Sequence, residues 1–442
     1  MARTIAELPR GSRITDYISI GVISKTFPLE KVNEILQSTG KISQRQRDLP
    51  AHVVIYYVLA LALFMQVSYR EVLRCLLEGI EWLSVPGTRI KVTGKSGISQ
   101  ARKRLGPGPL KELHDAVVKP IAGRDTRGAW YRRWHLVTLD GSTMETADNW
   151  ENDAAFGRPG ASRGRSGYPQ IRFASLVENG THVLFGTKLA GCRTSEATLA
   201  REVIPHLEAG MLCLADRYFF GFELWQKAQS TGADLLWRVR KNVALPCVER
   251  LTDGSYLSRI YAYRQKHRSD TNGIDVRVIE YVLEGSDSKE IYRLVTTILD
   301  PETAPAEELA ALYCERWEIE TALDELKTHL RGSRIQLRSK TPDLVRQEFY
   351  GLMMTHFAIR GLMHEAAIKG DIDPDKLSFV HAVRVVRRKL SSFTVFSPSG
   401  QESAARGSAG RNSGRTSRIQ PGQTKSTRCK TQNEQISHSS PI

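Results

Sequence analysis

Three acidic residues of this 442-residue chain have the residue types and surroundings of a divalent-cation site. Asp140 follows the apolar run HLVTL and Asp216 follows MLCLA, so we expect each at the end of a buried strand, whereas Glu320 lies in a segment with helical spacing. Carboxylate oxygens suit Mg²⁺ and Mn²⁺, and two such ions about 3.5–4 Å apart can activate an attacking oxygen and steady a leaving one. The set therefore indicates phosphoryl transfer, although a single aspartate at a strand end is an ordinary structural feature.

The polar side chains around Glu320 fall on one stripe of the expected helix. At about 100° per residue, Tyr313, Arg316, Glu320 and Lys327 lie within an arc of roughly 60°, so a phenol and two cations frame one carboxylate. Pro305 suits the first turn of this helix. Taken alone, the stripe is more typical of a solvated helix face, and only the two aspartates favour a site.

The charge of the chain points to a polyanionic partner. A formal net charge of +15 and a pI near 9.6 favour nucleic acid, unless the excess is confined to a tail. The apolar run from Val53 to Val67 is too short and too often interrupted for a membrane span, and the N-terminus lacks the apolar core of a signal peptide, so we expect a cytoplasmic protein. Six scattered cysteines without a CxxC pair argue against a disulfide framework or a structural zinc site.

Residues 1–125 are predicted to be helical, because their apolar residues recur at helical spacing. Within them, a helix beginning at or just before Ser99 places Arg102, Lys103 and Arg104 together before a break at Gly106. A short basic helix after a turn is typical of a contact with a DNA groove. A solvated helix face remains the alternative.

The pattern changes to strands and helices from Trp130 onward. Five strands are expected, with a helix in SEATLAREVIPHLEAG between the third and the fourth: WHLVTLDGS, YPQIRFASLVE, THVLFGTKLAG, GMLCLADRYFF and DLLWRVRKN. This order predicts an α/β fold with a mixed sheet. A β-rich insertion at about 242–300 precedes the helix of Glu320, a further helix covers 342–367, and the tail at 396–442 is predicted to be basic and disordered.

In this order, the features resemble an insertion-sequence DDE transposase of the IS-four group. The signature of that group, Y-x2-R-x3-E-x6-K, is complete as Tyr313, Arg316, Glu320 and Lys327. The resemblance covers roughly residues 10–395. It includes four further segments: HLVTLDGS, LADRYFF, YPQIRFASLVENGTHVLF and IYRLVTTILDP. The long tail departs from the family, whose members usually close soon after a basic segment.

The resemblance implies a ribonuclease-H-like catalytic domain at 126–395, preceded by a DNA-end-binding domain at 1–125. Asp140, Asp216 and Glu320 would hold two Mg²⁺ or Mn²⁺ ions for cleavage at the terminal inverted repeats and transfer of the 3′ hydroxyls to target DNA. The implied partners are these DNAs and a second copy of the chain, in a bacterial nucleoid. The alternative is a catalytically silent DNA-binding regulator or a decayed copy.

Several aromatic and basic residues are expected to contact DNA, and the resemblance assigns Tyr292 a stacking role. By its position before the LVT stretch, Tyr292 is the candidate for stacking a base flipped from the DNA end, with a packed strand tyrosine as the alternative. Trp237 is expected to be structural, and Trp317 to point into the core. The complete set of expected DNA contacts is Tyr313, Arg316, Lys327, Tyr292, Arg238, Arg240, Lys241, Arg102, Lys103 and Arg104.

Overall fold

Helices make up the N-terminal part of the chain, as predicted. The computed structural model describes residues 19–44, 49–79, 94–160, 167–262, 273–283, 291–332, 336–389 and 429–431. The described N-terminal helices are α1 (Ser19–Thr26), α2 (Leu29–Ser38), α3 (Ala51–Leu63), α4 (Tyr69–Gly79), α5 (Lys95–Leu105) and α6 (Gly108–Val117). The basic helix α5 thus begins at Lys95, one turn earlier than expected.

The apolar helix α3 is the centre of this region. Its sequence is apolar on every side, and every residue from Val53 to Leu63 is buried. A helix without a polar face has to be covered by protein or lipid. No helix among the described residues is long and apolar enough to cross a membrane, and α3 is covered by other helices of the chain, as the sequence predicted.

One mixed sheet occupies the middle of the chain. Its strands are β1 (Trp130–Tyr131), β2 (Trp134–Glu145), β3 (Gln170–Glu178), β4 (Val183–Gly191), β5 (Met211–Ala215), β6 (Asp234–Val239), β7 (Glu249–Arg250), β8 (Tyr256–Ile260), β9 (Ile274–Leu283), β10 (Ile291–Thr296) and β11 (Cys429–Thr431). The spatial order is β4-β3-β2-β5-β6-β10-β9-β8-β7, with β1 on β2 and β11 on β9. Strands β2, β3 and β4 are antiparallel neighbours, and β5 and β6 run parallel to β2. This is the ribonuclease-H-like arrangement that was expected.

Helices cover both faces of the sheet. They are α7 (Trp150–Phe156), α8 (Glu196–Val203), α9 (Phe222–Gln229), α10 (Ala306–Cys314), α11 (Glu318–Asp324), α12 (Pro342–Gly370) and α13 (Phe379–Lys389). Side chains alternate across a strand, so Leu212 and Leu214 of β5 face the core under α10, while Cys213 and Ala215 face the larger core. Burial on both faces explains why β5 is an uninterrupted apolar run.

The predicted insertion is part of the same sheet. Strand β10 pairs with β6, Leu294 opposite Arg238, and β9, β8 and β7 follow outward. The β-rich stretch at about 242–300 therefore extends the central sheet instead of forming a separate lobe.

Helix α12 joins the N-terminal helices to the sheet. The Thr355 hydroxyl donates to the Leu59 carbonyl of α3 at 3.0 Å. At Gly351 the helices are so close that a β-carbon would lie 2.9 Å from the Val58 carbonyl oxygen. The N-terminal helices and the sheet consequently share one hydrophobic core.

The segment of the transposase signature is not the regular α-helix that was predicted. Pro305 precedes α10, a 3₁₀ turn at Glu315–Trp317 separates α10 from α11, and a π-helical turn at Glu325–Leu330 follows α11. Departures of this kind inside a helix often mark functional sites. The single stripe computed for a regular helix is therefore broken into pieces with different orientations.

The tail predicted as disordered at 396–442 lies outside the described residues, apart from β11. The three residues of β11 pair with the C-terminal end of β9, with Cys429 opposite Leu283.

Candidate active site

Pairing of β2 with β5 brings the two aspartates together. The strands are parallel, with Leu139 opposite Ala215, so the next residues, Asp140 and Asp216, are neighbours across the sheet. Strand β5 ends at Ala215, but β2 continues to Glu145. Asp216 thus follows its strand as predicted, whereas Asp140 lies inside β2, beside the point where β5 stops.

Backbone amides orient both aspartates. The Gly141 N–H donates to Asp140 Oδ1 at 2.7 Å, and the Arg217 N–H donates to Asp216 Oδ1 at 2.6 Å. Burial raises the pKa of Asp140 to about 6, and the nearby carboxylates of Glu196 and Asp216 add to this rise against the opposing effects of Gly141 and Arg316. Asp140 is therefore a carboxylate short of positive charge.

Arg316 links the strand acids to the helix acid. Its Nη1 lies 4.0 Å from Asp140 Oδ2, and its Nη2 lies 3.5 Å from Glu320 Oε1. The guanidinium is largely buried, while the Glu320 side chain is 48% exposed. Three carboxylates are thus grouped around one buried cation, with Glu320 at the open side.

The other two signature residues have different roles in the structure. Lys327 lies in the π-helical turn, and its Nζ donates to the Ser142 hydroxyl on β2 at 2.9 Å, which places a second cation beside the acids. Tyr313 is buried, and its hydroxyl donates to the Ala215 carbonyl at 3.2 Å. Tyr313 therefore supports the end of β5 from inside, an arrangement that does not fit the predicted phosphate contact.

A basic pocket opens beside Asp216. It has a volume of about 410 Å³, and its lining includes Tyr292, Arg238, Arg240 and Lys241, all of which were predicted to contact DNA. The Arg238 guanidinium carbon lies 4.4 Å from the centre of the Tyr292 ring. Tyr292 is half-buried, so part of an aromatic surface and several cations face the same opening.

The basic triplet of α5 is divided between interior and surface. Arg102 is 2% exposed, and its guanidinium donates to Gln347 Oε1 at 3.0 Å and to the Leu344 carbonyl at 2.9 Å. Arg102 is thus a structural residue, against the prediction that it contacts DNA. Lys103 and Arg104 are exposed and remain available to a partner.

The two tryptophans also differ. Trp237 is fully buried and packs edge-on against Trp225, with 5.3 Å between the ring centres, as expected of a structural residue. Trp317 is 61% exposed, so the prediction that it points into the core is wrong. It lies in the 3₁₀ turn beside Arg316, where the changed helical twist turns it outward.

Sequence reasoning missed several residues of the site. Glu196, in the first turn of α8, lies so close to the backbone of β2 that a β-carbon at Gly141 would be 2.9 Å from its Cγ. Arg217 and Tyr218 line the basic pocket, and Tyr218 is 66% exposed. Adjacency to Asp216 was a signal for these two, but nothing in the sequence singled out Glu196 or Ser142.

Comparison with known proteins identifies the family of the chain. The family described as "Insertion element 4 transposase N-terminal" matches residues 17–115, and the "Transposase DDE domain" matches residues 135–358. Transposase InsG for insertion sequence element IS4, from Escherichia coli K12, is 27% identical over 373 residues, covering 84% of this chain and 82% of that protein. The putative transposase InsZ of the same strain is 25% identical over 236 residues, covering 52% of this chain and 75% of that protein.

Among solved structures, a piggyBac transposase synaptic complex with hairpin DNA matches 89% of this chain and 83% of its own, with 12% identity and a TM-score of 0.47. The two domain matches together span most of the chain and show its family. The chain belongs to the IS4-type DDE transposases of insertion sequences.

Proposed function

We propose that this transposase binds the terminal inverted repeats of its element, cleaves the phosphodiester bonds at the element ends and joins the freed 3′ hydroxyls to target DNA. The observation that carries the proposal is the grouping of Asp140, Asp216 and Glu320 around Arg316. Hydrolysis and transfer of a phosphodiester need several fixed charges around one phosphate.

The acids suit two Mg²⁺ or Mn²⁺ ions. All three offer carboxylate oxygens, and burial raises the pKa of Asp140, so that a bound cation would stabilise its ionised form. When bound, the ions would activate the attacking oxygen and neutralise charge on the leaving oxygen. In their absence, Arg316 supplies part of that positive charge to Asp140 and Glu320.

Arg316 and Lys327 flank the acids and would hold the phosphates on either side of the scissile bond. An arginine can do so with two parallel hydrogen bonds, and a lysine acts as a point charge. Once cations satisfy the carboxylates, the Arg316 guanidinium is free to turn toward the DNA. Ser142 would keep Lys327 pointing at the same phosphate.

The basic pocket is the proposed site for a flipped base. Tyr292 would provide the stacking surface, with Arg238 already positioned over its ring. Arg240 and Lys241, both exposed at the rim, would hold the backbone of the flipped nucleotide.

The region at 1–125 is proposed to recognise the element ends, with Lys103 and Arg104 of α5 as contacts. Cutting two ends in one reaction requires two active sites, so we propose a homodimer on DNA.

The test compares wild-type protein with Glu320→Gln on duplexes that carry the sequences bordering the gene, in Mg²⁺, with products resolved on denaturing gels. We expect the wild type to nick the duplex at the element end, and Glu320→Gln to bind equally well while cutting about 10³-fold more slowly or less. Glu307→Gln is the matched control, because Glu307 is exposed in the first turn of α10, away from the acids.

The outcomes separate the alternatives. Binding without nicking by the wild type would contradict the proposal and favour a silent DNA-binding regulator. Nicking that is never followed by joining to a target plasmid would identify a nuclease. Equal cutting by wild type and Glu320→Gln would remove Glu320 from the site.

A further inference from the structure

A second cluster of possible metal ligands lies behind the signature segment. It lines a cavity of about 510 Å³ whose walls come from the β3–β4 turn, α11, α12 and the 3₁₀ turn at Pro374–Lys376. Its lining includes Trp317, Asp324 and Glu325, whereas Asp140, Asp216 and Glu320 are not part of it. Glu320 and this cluster therefore use different residues of the same signature segment.

Three side chains converge in this cavity. One ligand atom each from His182, Glu318 and Asp375 lies within 4.8 Å of the other two. His182 Nε2 is 3.1 Å from Asp375 Oδ1 and 4.0 Å from Glu318 Oε2. Ligands of a Zn²⁺ ion at bond lengths of about 2.0–2.2 Å are separated by roughly 3–3.5 Å, so a contraction of less than about 1 Å per ligand would complete the site.

The Nε2 atom of His182 is aimed at the carboxylates of the cluster. His182 is 3% exposed, and its Nε2 lies 3.1 Å from Asp375 Oδ1, an ion-pair contact that does not meet the geometry of a hydrogen bond. The opposite nitrogen, Nδ1, contacts Glu325 Oε1 at 3.4 Å. A histidine that donates one ring N–H to a carboxylate and presents the other nitrogen to a cavity has the usual arrangement of a metal ligand.

The neighbouring groups hold the ligands in place. The Gly180 N–H donates to Glu318 Oε2 at 2.6 Å, which fixes that carboxylate toward the turn. The Arg360 side chain donates to Glu325 Oε1 at 3.3 Å and lies 3.7 Å from Asp375 Oδ1. In metal sites, supporting contacts of this kind orient the residues that bind the metal directly.

The charges of the cluster leave room for one divalent cation. Glu318, Glu325 and Asp375 contribute three carboxylates, against which the buried guanidinium of Arg360 supplies one positive charge. Burial lowers the pKa of His182, but Glu325 and Asp375 outweigh it and raise that pKa to about 9, while burial raises the pKa of Glu318 to about 8. A divalent cation at this place would therefore displace two protons.

We propose that His182, Glu318 and Asp375 form a second metal site, which binds one divalent transition-metal ion such as Zn²⁺ and is independent of the catalytic pair. The fourth position faces the cavity and takes water. Such an ion ties the β3–β4 turn and the 3₁₀ turn at Pro374–Lys376 to the start of α11, two residues before Glu320. The site is therefore a clamp on the helix that carries the third catalytic acid.

The test is a calorimetric titration of chelator-stripped, full-length protein with Zn²⁺ in saturating Mg²⁺. The protein carries Asp140→Asn and Glu320→Gln, which removes the catalytic site as a competitor. We expect one Zn²⁺ per chain, a Zn²⁺-dependent rise in the unfolding midpoint, and visible absorption from Co²⁺ bound in its place.

Adding His182→Asn, Asp375→Asn or Glu318→Gln is expected to weaken Zn²⁺ binding about 100-fold or more. Asparagine suits the first position, because His182 has a φ of 57°, a left-handed conformation that asparagine tolerates. Asp324→Asn is the matched control, since Asp324 lines the same cavity but is not one of the three ligands.

The results decide the proposal in either direction. Loss of the Zn²⁺ signal in the three ligand variants, and its retention in Asp324→Asn, would support the site. If one variant fails to fold, the other two give the same comparison. Absence of Zn²⁺ binding, or equal binding by the ligand variants, would overturn the proposal and leave the cluster as a charged imidazole between carboxylates.

Discussion

At the scale of single residues, the ionised form of Asp140 lowers the stability of the folded protein when no cation is bound. Its pKa is raised from the ordinary value near 4 to about 6, mainly by burial. The folded state therefore holds a proton more tightly than the unfolded chain does, and this contribution to stability is present below pH 4 and lost as the pH rises through 6.

Asp140→Asn is expected to relieve that cost. In chelator at pH 7.5, the variant should unfold with a free energy about 1–3 kcal/mol higher than wild type, and the difference should shrink toward pH 4, where Asp140 is protonated in the folded state. Denaturant titrations at the two pH values measure this, with exposed Asp324→Asn as a control for the loss of one charge. A variant that is less stable at both values would contradict the argument.

The proximity of Asp140, Asp216 and Glu320 was predictable from residue type and order, but the direction of neighbouring side chains was not. Consecutive residues of a helix are about 100° apart, so Arg102, Lys103 and Arg104 cannot share one face. The packing of α5 on α12 decides that Arg102 is the one that turns inward. The inward direction of Tyr313 likewise depends on the Ala215 carbonyl, 98 residues away.

At the scale of elements, the sequence pattern located nearly every strand because apolar runs and turn residues alternate clearly. The signature helix was the exception. Residues on its two sides bind different partners: Lys327 reaches Ser142 on β2, while Glu325 contacts His182 and Arg360. The helix is under-wound at this point, which allows both sets of contacts to form. The spacing of apolar residues in the sequence does not indicate such a local change of winding.

A side chain at Gly180, in the β3–β4 turn, is expected to destabilise the fold more than one at Gly210. Gly180 has a φ of 75°, and a β-carbon there would lie 2.5 Å from the Arg127 carbonyl oxygen. Gly210 has a φ of 88° with nothing within 4 Å of such a carbon. Gly210→Ala should therefore cost only the conformational penalty of roughly 1–2 kcal/mol.

Gly180→Ala should cost about 1–3 kcal/mol more than Gly210→Ala, because the backbone at Arg127 must move. Urea unfolding of both variants measures the difference. Equal losses would mean that the contact relaxes without cost.

At the scale of the whole molecule, Arg102 connects the N-terminal helices to α12. Arg102→Ala leaves Gln347 and the Leu344 carbonyl without their buried donor, so we expect a loss of about 2–4 kcal/mol in unfolding free energy. Lys103→Ala, in contrast, should change stability by less than about 0.5 kcal/mol and weaken binding to element-end DNA. Denaturant unfolding and fluorescence anisotropy measure the two effects, and a stable Arg102→Ala protein would contradict the structural role.

The unbroken hydrogen-bond ladder from β5 through β6 to β10 also sets a length. Tyr292 lies two strands across and two residues along from the level of Asp216. With about 4.8 Å between strands and about 3.3 Å per residue, their backbones are about 12 Å apart. At 3.4 Å per step of one DNA strand, that span equals roughly three or four nucleotides. On the proposed function, the sheet would therefore keep a base stacked on Tyr292 at a constant number of nucleotides from the cleaved phosphodiester bond.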